Sequence, residues 1–274
     1  MMASAKTSCA PAVATPPTKD SLRGLTGSRS TRDSKALRPG RVLRRATRGA
    51  TAGTPAHFLV SKQPAVLHRI ATSGISLCVW SRPAEAQAAA AVRAILSAPT
   101  PLRLDVAAPT PEQIAAGIIA GLTRPGPRVR ETVHHLANDI AMLAKKFGTV
   151  ADTRHPRVRL TRVEDNCCAL FHVDNLRLRM LCTYAGAGTQ WLENRNVRRD
   201  QLGSQGRSVA EATRAIVVNP KTIRTIPGWH VAILKGGAWP GEESTAVVHR
   251  SAPVPNSASH RLVLCIDLPA ACSC

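Results

Sequence analysis

The chain has 274 residues and a mass of 29.1 kDa, enough for one ordinary domain with appendages or two small ones. Apolar residues make up 44%, so a packed core is feasible, but every apolar stretch is broken by Arg93 or by Gly and Pro before the roughly 18 residues a membrane span needs. With four Trp, three Phe and one Tyr, a groove built on base stacking is disfavoured.

The formal charge of +20 is unevenly spread. Residues 1–50 hold eleven Lys/Arg, among them Arg38, Arg41, Arg44, Arg45 and Arg48, against Asp20 and Asp33. A pI near 11 raises nucleic-acid binding, but this arm lacks apolar periodicity and is rich in Ser, Thr, Ala, Gly and Pro, the composition of a flexible tail. Residues 1–60 are therefore expected to be a disordered basic tail, and nucleic acid is a partner only through it. An Arg- and Ser-rich, acid-poor leader is also the composition of an organelle transit peptide. No secretory apolar region follows Arg44-Arg45. The eight cysteines (Cys9, Cys78, Cys167, Cys168, Cys182, Cys265, Cys272 and Cys274) form no CxxC pair and several sit in apolar runs. Reduced thiols and a cytoplasmic location are expected.

Residues 61–155 read as a helical lead-in. Ile75, Leu77, Val79 and Trp80 form a short apolar run. Pro83 then opens an Ala-rich helix to about Ser97. Thr110-Pro111-Glu112-Gln113 carries an N-cap hydroxyl, a first-position proline and a capping-box glutamine, predicting a helix that ends at Gly121. Val129, Val133, Leu136, Ile140, Leu143 and Phe147 place one apolar stripe along a helix over Arg128–Phe147, with Gly148 as its stop. His134 and Asp139 lie off that stripe, and His135 with Asp139 reads as a solvated face.

After residue 156 the texture becomes β-rich, with runs at Val158–Val163, Ala169–Val173, Leu178–Tyr184, Ala215–Val218, His230–Leu234, Thr245–His249 and Arg261–Leu268. Short strands without intervening helices predict an antiparallel sandwich or barrel over 156–269, followed by a tail at 270–274. The class is α+β, helices first.

Chemistry concentrates in this half. In Phe171-His172-Val173-Asp174, strand alternation sets His172 and Asp174 on one face. His249 ends a strand 77 residues later. Two imidazoles and a carboxylate on a shared interior face make a facial triad for Fe(II), with positions open for a cosubstrate and O₂. Arg261, twelve residues past His249, opens the last strand with a guanidinium suited to a carboxylate. Arg179 is a further cation whose face the pattern leaves open. Gly186-x-Gly188 is no dinucleotide fingerprint, since Trp191 stands at the third glycine position, and reads as a turn. There is no phosphate loop and no GxSxG elbow, so Lys235-Gly236-Gly237 is also a turn. Arg195, Arg198 and Arg199 form a loop cluster of solvated charge.

His172-x-Asp174, the Ile226-Pro227-Gly228 turn, and His249-Arg250-Ser251 followed by Arg261 resemble the Fe(II)/2-oxoglutarate-dependent oxygenases. From Ala65 to Leu268, three quarters of the chain is similar to the bacterial domain-of-unknown-function family 1826. That likeness rests on Ile75–Pro83, Cys168–Asp174, Leu181–Thr189, Leu234-Lys235-Gly236 and His249-Arg250-Ser251. The oxygenase resemblance implies N-terminal helices packed on a double-stranded β-helix (jelly-roll or cupin-like) half. It also implies iron held by His172, Asp174 and His249, the distal carboxylate of 2-oxoglutarate on Arg261, and a hydroxyl added by Tyr184. The interval from His249 to Arg261 is slightly long for that pattern, and His260 stands beside Arg261. The family resemblance implies zinc as the competing metal, through an association with zinc-homeostasis genes. Cys168, on the same strand face as His172, favours zinc too. The competing functions are a non-catalytic zinc protein of metal homeostasis and a metal-free interaction module. The substrate, small molecule or protein, is not named by any motif.

Overall fold

The computed structural model describes residues 56–98, 101–122, 132–163, 168–253 and 260–268. The basic arm up to residue 55 lies outside these, as do Cys9, Cys167, Cys272 and Cys274, the turn at Arg124–Pro127 and the tail at 270–274.

Among the described residues, ten strands form two sheets. The larger contains β1 (Phe58–Ser61), β2 (Leu77–Trp80), β3 (Arg103–Ala107), β4 (Arg157–Val163), β5 (Leu178–Ala185), β8 (Val231–Lys235) and β10 (Arg261–Asp267), in the order β1-β2-β8-β5-β10-β4-β3. Only β1 and β2 pair in parallel. The smaller contains β6 (Gln190–Leu192), β7 (Arg224–Thr225) and β9 (Val248–Arg250), in the order β7-β6-β9. A single antiparallel bridge between His172 and His249 adds a fourth segment to it. From β4 onward, four strands of the large sheet (β8-β5-β10-β4) face four segments of the small one (β7-β6-β9-172). This is the double-stranded β-helix.

Strand alternation decides what each face carries. On β5, Met180, Cys182 and Tyr184 join Ile233 of β8 and Leu262, Leu264 and Ile266 of β10 in a core beneath the helices α1 (Ala86–Ser97), α2 (Pro111–Leu122) and α3 (Val133–Ala151). On the other face, Leu77, Val79, Leu181, Ala232 and Leu234 meet Trp191, Ile226 and Val247 from the small-sheet side. The small sheet's outer face, with Phe171, Leu192 and Val248, is covered by α4 (Val209–Ile216). N-terminal helices thus cover one side of the β-helix, and its interior opens between the sheets.

Several elements differ from the sequence expectation. Phe58–Ser61, assigned largely to the tail, is edge strand β1. Arg103–Ala107, hidden between prolines, is strand β3, tied to β4 by the Asp105–Arg157 pair. Ala215–Val218 is not a strand: α4 runs to Ile216 and lies between β6 and β7. Its Ser208/Glu211 capping box is complete, a signal present in the sequence. Gly148 does not stop α3. The helix continues to Ala151, and Asp152 supplies the left-handed position at φ 49°. Asp139 is not solvated either. Its carboxylate is buried against Arg82 Nη2 at 2.8 Å and accepts the Tyr184 hydroxyl at 2.7 Å.

Candidate metal centre

The segment Ala169–Val173 makes only the bridge to β9, not a strand. Two hydrogen bonds lock it: His172 N to His249 O and His249 N to His172 O, both 3.0 Å. With Phe171 and Val173 packed outward in the α4 cluster, His172 and Asp174 turn inward, as the alternation predicts. His249, between outward Val248 and Arg250, turns inward beside Trp191.

The three side chains converge. One ligand atom from each of His172, Asp174 and His249 lies within 4.8 Å of the others. His249 Nε2 is 3.3 Å from Asp174 Oδ2, and His172 Nε2 is 3.6 Å from Oδ1. The imidazole centroids are 4.7 Å apart. Nδ1 of His172 lies 2.9 Å from the carbonyl of Leu170, and Nδ1 of His249 lies 3.2 Å from that of Val247. A carbonyl only accepts, so each Nδ1 carries its proton and each Nε2 is left facing the carboxylate. Two nitrogen lone pairs aimed at a buried anion repel it unless a cation, proton or metal, stands between them.

The carboxylate shows the same demand. Asp174 Oδ2 is buried with no aligned donor. Burial acts to raise the Asp174 carboxyl, but positive charge on the adjacent His249, the closeness of His172 and the Arg179 guanidinium hold it well below the usual carboxylate range. His172 is raised despite burial, through Asp174 and the Leu170 carbonyl. An orphaned carboxylate oxygen and two tautomer-fixed imidazoles fit a divalent cation. The His172 side chain is 28% exposed against 6% for His249, so the approach from outside is on the His172 side.

Arg261 lies 2% exposed at the start of β10, its Nε donating to the carbonyl of Ala187 at 2.6 Å. Among the described residues it has no carboxylate partner. Burial lowers its guanidinium from the ordinary arginine value, and the side chains acting on it are the Cys265 and Cys168 thiols. Arg261, Cys265 and Asp267 alternate onto one face of β10, and Asp267 on that face holds Arg179, which reaches Asp174. Burial pushes the Cys265 thiol up to about 11, so it lines that face as a neutral group. Gly186 makes the seat for Arg261: at φ 79°, an added Cβ would stand 2.8 Å from Arg261 Cγ and 2.7 Å from the carbonyl of His260. The glycine turn read in the sequence thus cradles a candidate site residue.

Tyr184 does not reach this interior. It lies an odd number of residues from Arg179 on β5 and so faces the helices, bonded to Asp139. The expected hydroxyl at the cosubstrate carboxylate is absent for that reason. Cys168 is not on a strand face beside His172: it is exposed, in the left-handed region at φ 61°. His260 lies outside the convergent group. Arg179, whose face the sequence left open, reaches Asp174 Oδ1 at 2.9 Å. Its partner Asp267, the last residue of β10, carried no sequence signal.

Gly236 positions the carboxylate segment. An added Cβ would lie 2.2 Å from the Leu176 carbonyl and 2.6 Å from that of Asp174, while Gly237 N donates to Asp174 O at 2.8 Å. Gly236→Ala is therefore expected to push the 174–176 segment outward and weaken cation binding at least tenfold. Calorimetric titration with Co(II) checks this, and wild-type affinity would refute it.

Among the described residues no helix is long and apolar enough to cross a membrane. Three comparisons bear on relationship. The dioxygenase for auxin oxidation from rice is 17% identical with a TM-score of 0.42, covering 77% of this chain and 82% of its own. A bsmA homolog from Methylobium petroleophilum PM1 is 14% identical with a TM-score of 0.37, covering 74% and 91%. Full-length Neurospora crassa T7H, solved in complex with alpha-KG, is 12% identical with a TM-score of 0.37, covering 74% and 76%. At these scores none of them bears on the chemistry of this chain. No curated protein matches it. A family model does match over residues 61–267, spanning the lead-in, the triad and Arg261, and so this chain belongs to DUF1826, a family described as a protein of unknown function.

Proposed function

We propose that this protein holds one divalent metal ion on His172 Nε2, His249 Nε2 and Asp174 Oδ2, and acts as an Fe(II)/2-oxoglutarate-type oxygenase. The observation that carries the reading is the convergence of two Nδ1-protonated imidazoles on the buried carboxylate of Asp174, whose Oδ2 lacks a donor. Three protein ligands from one side leave positions open, which suits iron oxygenases better than a closed structural zinc site. Arg261 supports the keto-acid part of the reading as a buried cation with no carboxylate against it among the described residues, on the strand face shared with Cys265. When bound, Fe(II) and 2-oxoglutarate supply oxidising power by coupling O₂ reduction to loss of CO₂ from the keto acid, with succinate as the co-product.

The chain's own residues bind and orient. The carbonyls of Leu170 and Val247 fix the imidazole tautomers. Ala187 O and the Gly186 turn fix Arg261. The apolar layer of Leu77, Val79, Leu181 and Leu234 keeps water from the barrel interior, which strengthens an Arg–carboxylate contact there. Arg261 would hold the distal carboxylate of a keto acid and neutralise its charge.

The test uses the full-length protein reconstituted anaerobically with Fe(II) and then exposed to O₂ and 2-oxoglutarate, with succinate as the readout. A metal-dependent succinate yield is expected. His172→Ala should remove it by at least a hundredfold. Zinc retained through purification, with no succinate under any metal, would instead support a metal-homeostasis role. No bound metal under either condition would leave an interaction module.

A further inference from the structure

The two oxygens of Asp174 have unequal surroundings. Oδ1 accepts a hydrogen bond from Arg179 Nη1 at 2.9 Å. Oδ2 is buried without an aligned donor and faces His249 Nε2 at 3.3 Å, while His172 Nε2 lies 3.6 Å from Oδ1, beyond hydrogen-bond reach. Arg179 is itself immobilised. Its Nε donates to Asp267 Oδ1 at 2.7 Å and its Nη2 to Asp267 Oδ2 at 2.9 Å. Asp267 also accepts from Arg159 on β4, and the β5–β10 register sets Asp267 directly opposite Arg179. Two parallel bonds to one carboxylate fix the plane of a guanidinium. The direction of the remaining Nη1–H is then set by the sheet, not by the loop that carries Asp174.

We propose that Arg179, clamped by Asp267, is a positioning residue that occupies Asp174 Oδ1 and dedicates Oδ2 to the cation, making Asp174 a one-oxygen ligand. The inference rests on the metal reading of the triad and assigns a role to two residues outside it. It also has an electrostatic side. Arg179 cancels the charge of Asp174 and Arg159 that of Asp267, so a bound divalent ion keeps its full charge for an incoming anion.

Two effects oppose each other when Arg179 is removed. Loss of its charge strengthens the attraction of Asp174 for a cation. Loss of its fork lets the carboxylate rotate or present both oxygens. Partners outside the ligand set are typically worth 10- to 100-fold in metal affinity, and the orienting effect is expected to dominate.

The experiment uses full-length protein and Co(II), a spectroscopically visible stand-in for Fe(II), titrated by absorbance and calorimetry. Arg179→Gln is expected to lose tenfold or more in Co(II) affinity and to shift the visible bands, reporting a changed donor set. Arg179→Lys keeps the charge without the fork and should shift the bands as well. Asp267→Asn, which retains the guanidinium but loosens its clamp, should move affinity in the same direction by a smaller factor and stands in if Arg179→Gln does not fold. Unchanged or tighter Co(II) binding with wild-type bands in a folded Arg179→Gln would overturn the assignment, as would full recovery of affinity and bands by Arg179→Lys. Wild-type protein that binds no Co(II) would remove the metal reading itself, whereas wild-type binding unaffected by these variants removes this assignment alone.

Discussion

Asp174→Asn is expected to abolish stoichiometric binding of a divalent cation, a loss of at least a hundredfold, while the protein stays folded. The carboxylate is the only anion in the convergent group, and an amide oxygen offers a weak, neutral donor in its place. Partners outside a ligand set cost up to roughly 100-fold, so removing the charged ligand itself must cost more. Folding should persist because Arg179 keeps both bonds to Asp267 and the apolar layers are untouched. Affinity in the unaltered protein should also depend on pH with a defined sign. The metal takes deprotonated imidazole, and the proton affinity of His172 is raised above the ordinary 6.5. Co(II) binding should therefore begin to weaken above pH 6.5 as pH falls, with proton release on binding. Asp174, held well below its ordinary range, adds no pH dependence above pH 4. Titration calorimetry in buffers of different ionisation enthalpy reads both effects.

The second large effect lies on the opposite face of the sheet. Arg82 and Asp139 are both 9% exposed at their side chains. Arg82 also donates to the carbonyl of Trp229, a residue in the left-handed region at φ 67°. Asp139→Ala leaves that guanidinium buried without its carboxylate and the Tyr184 hydroxyl without an acceptor. Breaking a buried pair by removing one partner costs about 3–5 kcal/mol, which for a domain of this size is a fall in Tm of roughly 10 °C. Calorimetry should show it, with Co(II) affinity unchanged because the triad faces the other side. Tyr184→Phe removes only one hydrogen bond and should cost about 1–2 kcal/mol, leaving metal-dependent succinate formation intact. A large loss of turnover in Tyr184→Phe would instead return the tyrosine to the cosubstrate site.

The contrast between Tyr184 and His172 explains what was legible in the sequence. A strand's alternation reveals which residues share a face, so the pairing of His172 with Asp174 was readable even though the segment forms only one bridge. Alternation does not reveal which face is inside. On β5 it separates Arg179 from Tyr184, and only the docking of α3 decides that Tyr184 meets Asp139 while Arg179 meets Asp174. The apolar stripe on α3 was visible, but the partner of its polar Asp139 sits on a strand 45 residues away. Gly148 misled because a helix end is set by the chain that follows: Asp152 takes the left-handed turn instead. The Arg261 seat was half visible, since two closely spaced glycines predict a turn but not what packs against it. Long-range pairing hid β3 and the clamp at Asp267, whose partners Arg179 and Arg159 lie 88 and 108 residues earlier.

The most direct test is a crystal structure of the Fe(II)- or Co(II)-loaded protein with anomalous data collected at the metal edge. A single strong peak within bonding reach of His172 Nε2, His249 Nε2 and Asp174 Oδ2, and away from Oδ1, is the expected result. A metal peak elsewhere, or none with the three side chains arranged as they are here, would contradict it.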